Sequence, residues 1–102
     1  MKIKKALYDK ALAEVLDAFD VDKDELFQSN RDVCREGRIV LFVVLRPYLS
    51  CNDIAELCSM WRSSICAVMN KYDRAALSWS AQVCLDNLKK RIDVLEKELR
   101  EQ

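Results

Sequence analysis

The sequence predicts an all-α protein of five or six helices that contains a helix-turn-helix and ends in an amphipathic helix. The 102 residues include one glycine, Gly37, and one proline, Pro47, whereas sheet proteins use both residue types freely in their turns. Apolar residues recur at helical spacing in most segments. Because 51% of the residues are hydrophobic and 33% are charged, the composition is that of a globular chain and not of a disordered one.

A first helix is predicted from residue 2 to residue 19. One apolar stripe follows it, at Leu7, Ala11, Val15 and Phe19. This is the spacing of one helix face. Acidic residues then interrupt the pattern. We expect Asp22 to cap a short second helix with Glu25 as its third residue, which is the pattern of a capping box.

A third helix is predicted over residues 31–45, with Ser29 or Asn30 as its cap. Residues 39–45 are all apolar, which predicts a central helix with the others packed around it. Their β-branched side chains would also suit a strand, but no partner strand is recognisable elsewhere in the sequence.

Proline and a second capping signal define the next boundary. Pro47 is expected to end the third helix by excluding Arg46 from helical geometry. Ser50 and Asp53 then form an S-x-x-D start signal. It predicts a short fourth helix over about residues 51–58.

The fourth and fifth helices are predicted to form a helix-turn-helix. Two helices that cross steeply need a small residue at their closest approach, and Ala55 supplies it. The expected packing positions hold Ile54, Cys58, Met60, Ile65 and Val68. The tight turn usually contains glycine, but Ser59 stands there. An ordinary helical hairpin is the alternative interpretation.

The fifth helix begins near Arg62 and is expected to present mostly polar side chains to the outside. These outward residues are Arg62, Ser63, Ser64, Ala67, Asn70 and Lys71. Short polar residues near a helix N-terminus can approach base edges or phosphates, and the N-terminus itself favours an anion.

The order of these elements resembles that of a known family. An amphipathic helix is followed by a short acidic helix over residues 21–26, a basic segment, an apolar helix led by Arg38, and the helix-turn-helix. From Leu12 to about Lys71, the arrangement is similar to the C-terminal DNA-binding domain of the bacterial replication initiator DnaA. The resemblance implies a Trp-repressor-like helical fold and DNA binding.

The resemblance also implies roles for particular residues. Arg31 and Arg38 match basic positions in a segment of the family that contacts the DNA backbone and minor groove. Ser63 and Ser64 match its Ser/Thr pair at the start of the recognition helix. The family's Arg-Asp-His signature is replaced here by Met60-Trp61-Arg62. The Asp and His that read bases are absent, so the resemblance does not extend to the initiator's own sequence box, and no Walker motif accompanies it.

The candidate DNA-contacting residues are Arg31, Arg35, Arg38, Ser50, Trp61, Arg62, Ser63, Ser64, Asn70 and Lys71. Arg35 and Arg38 could equally pair with Asp32 and Glu36 on the surface of their own helix. Trp61 is expected either to meet DNA or a protein partner or to fold back over Met60 and the core. The net charge is zero, which is unusual for a nucleic-acid binder, although residues 31–74 have a slight basic excess.

A last helix is predicted to run to the C-terminus, after a break or cap at Asp73. Its apolar residues follow a heptad seam, at Leu85, Leu88, Ile92, Leu95 and Leu99. The seam predicts an oligomerisation surface for a homodimer or a partner helix; the alternative is a terminal helix that packs on its own domain. The predicted organisation is a DnaA-like domain over residues 1–74 and a C-terminal amphipathic helix over residues 75–102.

The composition argues against several classes of function. The five cysteines form no C-x-x-C pair and there is no histidine, so we expect no metal site and no cofactor. An odd number of cysteines in apolar settings predicts reduced thiols in the cytoplasm. No signal peptide or long apolar stretch predicts export or membrane insertion, and no set of residues predicts an enzyme.

Two hypotheses of function remain. The first is a small protein that binds double-stranded DNA and acts as an accessory replication or transcription factor. The second is a protein–protein interaction module that keeps the fold but does not bind DNA.

Overall fold

Six α-helices account for most of the structure, a computed structural model that describes residues 2–101. The helices are α1 (Lys2–Phe19), α2 (Lys23–Gln28), α3 (Asp32–Leu45), α4 (Cys51–Cys58), α5 (Arg62–Lys71) and α6 (Trp79–Arg100). A short 3-10 turn, Arg74–Ala76, joins α5 to α6. The all-α prediction is confirmed, and this part of the chain contains no strand. None of its helices has the length and apolar composition to cross a membrane. The two end residues of the predicted ranges, 1 and 102, lie outside the described part.

The apolar helix α3 occupies the centre, as predicted. It contacts α1, α2, α5 and α6, and every residue from 40 to 45 is buried. On the side of α2, a Cβ atom at Gly37 would lie 2.8 Å from Leu26 Cδ1. The single glycine of the sequence therefore allows the short helix α2 to pack directly on α3.

The helix α3 ends where predicted, but for a different reason. Arg46 keeps right-handed helical angles, and its N–H donates to Phe42 O at 2.9 Å, so the expected exclusion of Arg46 from helical geometry is wrong. Pro47 has no N–H to continue the series of helical hydrogen bonds. The chain then closes a last turn, in which the N–H of Leu49 donates to Leu45 O at 2.9 Å.

The C-terminal helix α6 lies against α1 and α3. Leu85, Leu88 and Ile92 are buried in the same core as α3, and Leu95 and Leu99 pack against that core. The seam that predicted an oligomerisation surface is therefore used within the chain. The physical reason is that α1 and α3 also present apolar faces. These faces cover the apolar stripe of α6, so no second chain is needed to bury it. Residues 75–101 thus share one core with the preceding helices.

Polar contacts fix the two ends and the middle of α6. At its start, the Ser78 N–H and hydroxyl donate to the Glu36 carboxylate at 2.6 and 3.0 Å. In the middle, Arg91 Nη1 lies 2.9 Å from Glu14 on α1. Near the end, the Tyr48 hydroxyl donates to Asp93 at 3.2 Å. These contacts set the register of α6 on α1 and α3.

The helix caps agree with the sequence in part. Ser50 and Asp53 form the predicted capping box, with both bonds at 3.1 Å. Asp22 accepts from the Glu25 N–H at 2.8 Å, but the Glu25 carboxylate pairs with Arg31 at 3.4 Å.

The expected cap of α3 is wrong. Its N-cap is Arg31, which makes no side-chain capping bond. Ser29 ends α2, and its hydroxyl accepts from the Arg31 N–H at 3.1 Å. Ser29 therefore serves the end of α2 and the entry to α3, and neither Ser29 nor Asn30 is the N-cap residue of α3.

The turn between α4 and α5 contains a serine in a glycine-like conformation. Ser59 has φ 58° and ψ 40°, the left-handed region that glycine adopts at lowest cost. The next N–H, of Met60, donates to Ala55 O at 3.0 Å and closes the end of α4. Ser59 was identified from the sequence as standing where glycine is usual, and the structure gives it the strained angle.

Truncation of the buried seam tests whether it stabilises the single chain. Leu88→Ala is expected to lower the free energy of unfolding by about 2–5 kcal/mol, because it opens a cavity in the core. The control Val94→Ala removes methyl groups from a residue that is 55% exposed, and should cost less than about 0.5 kcal/mol. Urea denaturation at two protein concentrations measures both. A loss in the Leu88 variant that depends on protein concentration would place this seam between chains instead.

Replacement of the turn serine tests the strain at residue 59. Ser59→Gly is expected to raise the free energy of unfolding by about 0.5–1 kcal/mol, because glycine accepts a positive φ. Ala67→Gly, in the middle of α5, is the matched control and should lower it by about 1 kcal/mol. Thermal and urea unfolding measure both variants. An equal loss of stability in the two glycine variants would contradict the assignment of strain to Ser59.

Candidate nucleic-acid interface

The helices α4 and α5 pack through the small apolar positions that the sequence assigned to them. Ile54, Ala55, Cys58 and Ile65 are buried, and Met60 and Val68 pack against the core. Ile65 is the one fully buried residue of α5. Most of the remaining surface of α5 therefore faces away from the core.

The N-terminal end of α5 is open. Trp61 is 80% exposed, so it does not fold back over Met60 and the core. Arg62 and Ser63 are exposed and Ser64 is half-buried. The N-cap makes no side-chain bond, and the first intrahelical bonds are donated by Ser64 and Ile65 to Trp61 O. The N–H groups at residues 62 and 63 thus have no partner within the helix.

The C-terminal end of α5 also presents polar groups. Asn70 and Lys71 are exposed. Lys71 and Arg35 line one shallow depression, together with Asp32, Glu36 and Asp73. The Nη1 atom of Arg35 lies 3.7 Å from Oδ1 of Asp32. This is the pairing within one helix that the sequence suggested as an alternative to DNA contact. The acids in this depression offset its two basic side chains, so it is a mixed and not a basic surface.

Arg38 has a structural role that the sequence did not reveal. Its Nη1 atom donates to Leu26 O at 2.8 Å and to Ser29 O at 2.9 Å, two carbonyls at the end of α2. Burial lowers the pKa of this guanidinium below its usual value. We therefore correct the prediction for Arg38: its side chain caps α2 and is not directed to a phosphate.

Two more candidates are occupied by contacts within the chain. The hydroxyl of Ser50 caps α4. Arg31 is exposed but pairs with Glu25. Together with Arg38, these two side chains are engaged within the chain, so the structure does not leave all ten candidates open to a ligand.

Arg46 belongs to the surface near α5, and sequence reasoning missed it. It is exposed, and its Nη1 atom donates to Leu49 O at 3.3 Å. The positive charges of Arg46 and Arg62 both act on the thiol of Cys66 on α5, so both arginines lie near that thiol. The sequence feature that could have identified it is its position: Arg46 is a single basic residue between the apolar part of α3 and Pro47.

We call six exposed residues on and beside α5 the α5 surface. They are Arg46, Trp61, Arg62, Ser63, Asn70 and Lys71. Its N-terminal part combines an exposed aromatic ring, the positive charges of Arg46 and Arg62, and free helix N–H groups. Such a surface can hold an anion or a stacked planar group. Within residues 2–101, no group of three or more histidine, cysteine or acidic side chains is placed to hold a metal ion.

Comparison with known proteins adds no relative: the chain matches no protein-family model, no curated protein and no solved structure. The resemblance to the DnaA C-terminal domain therefore depends on the residues quoted for it and on the order of the helices.

Substitution of two neighbouring arginines tests the structural assignment of Arg38. Arg38→Ala is expected to lower the free energy of unfolding by about 2–3 kcal/mol, since two half-buried carbonyls lose a charged donor. Arg35→Ala removes the same charge from an exposed position and should cost less than about 0.5 kcal/mol. Equal stability of the two variants in urea denaturation would return Arg38 to the list of surface arginines.

Proposed function

We propose that this protein binds double-stranded DNA, with α5 as the recognition helix of a helix-turn-helix. The observation that supports this most directly is the open N-terminal end of α5, where Trp61, Arg62 and Ser63 are all exposed. Helix-turn-helix proteins place the N-terminal residues of the second helix against base edges. The order of helices shared with the DnaA C-terminal domain supports the same function.

The dimensions of α5 suit the major groove. An α-helix with its side chains is about 10–12 Å in diameter, and the groove is about 12 Å wide; the ten residues of α5 give a length of about 15 Å. With the N-terminal end of α5 at the base edges, Arg62 reaches the bases, while Arg46 and Lys71 approach phosphates. Ser63 is short and suits a phosphate oxygen, assisted by the free N–H groups of the first turn.

The sequence preference should be modest. Among the exposed side chains of α5, Arg62 and Asn70 can make the bidentate bonds that distinguish bases. The chain has no net charge, so its non-specific attraction to DNA depends on the local positive charges and weakens as salt is added. A modest sequence preference of this kind suits an accessory replication or transcription factor. The five free thiols suit the reducing conditions of the cytoplasm.

A protein partner is the second candidate for the same surface. A tryptophan that is 80% exposed is an effective anchor in protein interfaces, and a neutral chain is repelled little by most proteins. In this alternative, α5 and Trp61 bind a protein groove and DNA is not a ligand.

Titration of duplex DNA by fluorescence anisotropy distinguishes these functions. At low salt the protein is expected to bind short random duplexes. Arg62→Ala should cost about 1–3 kcal/mol on preferred sequences, because it removes a base-reading group. Lys71→Ala should weaken all sequences alike and make the salt dependence shallower by about one charge. The control Lys89→Ala changes an exposed residue of α6 and should bind as the wild type does. Absence of binding at low salt would remove DNA as the ligand and favour the protein partner.

A further inference from the structure

A groove runs along the surface between α1 and α6. Two adjoining depressions form it, and both are lined by Glu14 of α1 and Arg91 of α6. These two side chains pair at 2.9 Å and mark the middle of the groove. We call this feature the α1–α6 groove.

The face of α6 beside the groove carries exposed apolar side chains. Trp79, Val83 and Val94 are 78%, 38% and 55% exposed. Steps of 4 and 11 residues place all three on one side of the helix, along a strip about 23 Å long. Val83 lines one depression and Val94 lines the other. Exposed apolar residues are usually scattered singly, so a line of three on one face indicates a contact surface.

The two ends of the groove differ in charge. The acidic end is lined by Asp17, Ala18, Ser80 and Val83. The basic end is lined by Lys10, Lys90 and Val94. Lys10 pairs with Glu14 at 3.2 Å, but neither Asp17 nor Lys90 forms an ion pair within residues 2–101. Each end therefore offers one unpaired charge beside an exposed valine.

A twofold axis through the middle of the groove makes its two ends complementary. Such an axis turns a second copy so that the acidic end of each copy meets the basic end of the other. Asp17 of one copy then faces Lys90 of the other, and the valine at each end meets an apolar end of the partner. The chain has no net charge, so two copies do not repel each other over longer distances.

We propose that the α1–α6 groove is a docking surface for a second copy of this chain, which gives a twofold-symmetric dimer with antiparallel α6 helices. The occupant is a copy because the charges along the groove are complementary to their own reverse order. The contact differs from a dimer through the heptad seam, whose residues already belong to the core of each chain or pack against it. It lies on α1 and α6 and does not depend on DNA binding by α5.

Sedimentation velocity of the full-length chain, from about 5 to about 500 µM, tests the dimer. The contact buries few apolar side chains, so the dissociation constant is expected to lie at about 10–100 µM. It should rise about three- to five-fold when the salt is raised from about 0.05 to about 0.5 M, because the paired charges are exposed and are screened. A wild type that stays monomeric at the highest concentration overturns the proposal and leaves the groove to a different partner.

A charge introduced into the apolar strip tests which surface is used. Val94→Lys should weaken the dimer about ten-fold or more, because the twofold axis places the new charge in the contact twice. Val94 is more than half exposed, so this variant is expected to fold. The control Gln28→Lys adds the same charge at an exposed position of α2 that lines neither depression, and it should sediment as the wild type does. Equal dimerisation of the two variants also overturns the proposal.

Reversal of the two unpaired charges tests the orientation of the copies. Asp17→Lys and Lys90→Glu should each weaken the dimer about five-fold, because each sets like charges together at both ends of the contact. The double variant restores opposite charges and should recover the wild-type dissociation constant. Single variants that dimerise normally, or a double variant that recovers nothing, contradict the antiparallel arrangement. The wild-type measurement needs no substitution, so it decides whether a dimer forms even if a variant fails to fold.

Discussion

The packing of α3 inside a shell of helices is the constraint on which the rest of the molecule depends. Its residues 40–45 are all buried, so α3 would expose a large apolar surface to water if any neighbouring helix were removed. Of these neighbours, α1 and α6 cover it along their length. This requirement explains why the heptad seam of α6 is used within the chain, since α3 needs an apolar neighbour and α6 offers one.

The same constraint leaves one side of α5 exposed to solvent. Because α3 is covered mainly by α1 and α6, α5 contributes one fully buried residue, Ile65, with Val68 and Met69 packed against the core. Five of the ten residues of α5 are exposed, as is the ring of Trp61 at its N-cap. The polar residues of α5 therefore cost the fold little, and the mixed charges at its C-terminal end limit the attraction to phosphates.

Periodicity predicted the elements well, because helix formation here follows local patterns. The limits of α1, the capping box at Ser50 and the central position of α3 could all be recognised from spacing and cap residues. The role of Arg38 could not, because its acceptors are carbonyls whose position depends on how α2 packs on Gly37. A heptad seam also looks the same whether it faces a second chain or an apolar face of its own. The position of Arg46 near α5 becomes visible only when segments distant in sequence are brought together.

The α4–α5 pair is the part of the fold whose geometry the core determines least. Its turn holds Ser59 in a conformation that serine adopts at a cost, and Ile65 is the one fully buried residue of α5, with Val68 and Met69 packed beside the core. Contacts at the edge of the pair can therefore influence its geometry more than contacts in the core do.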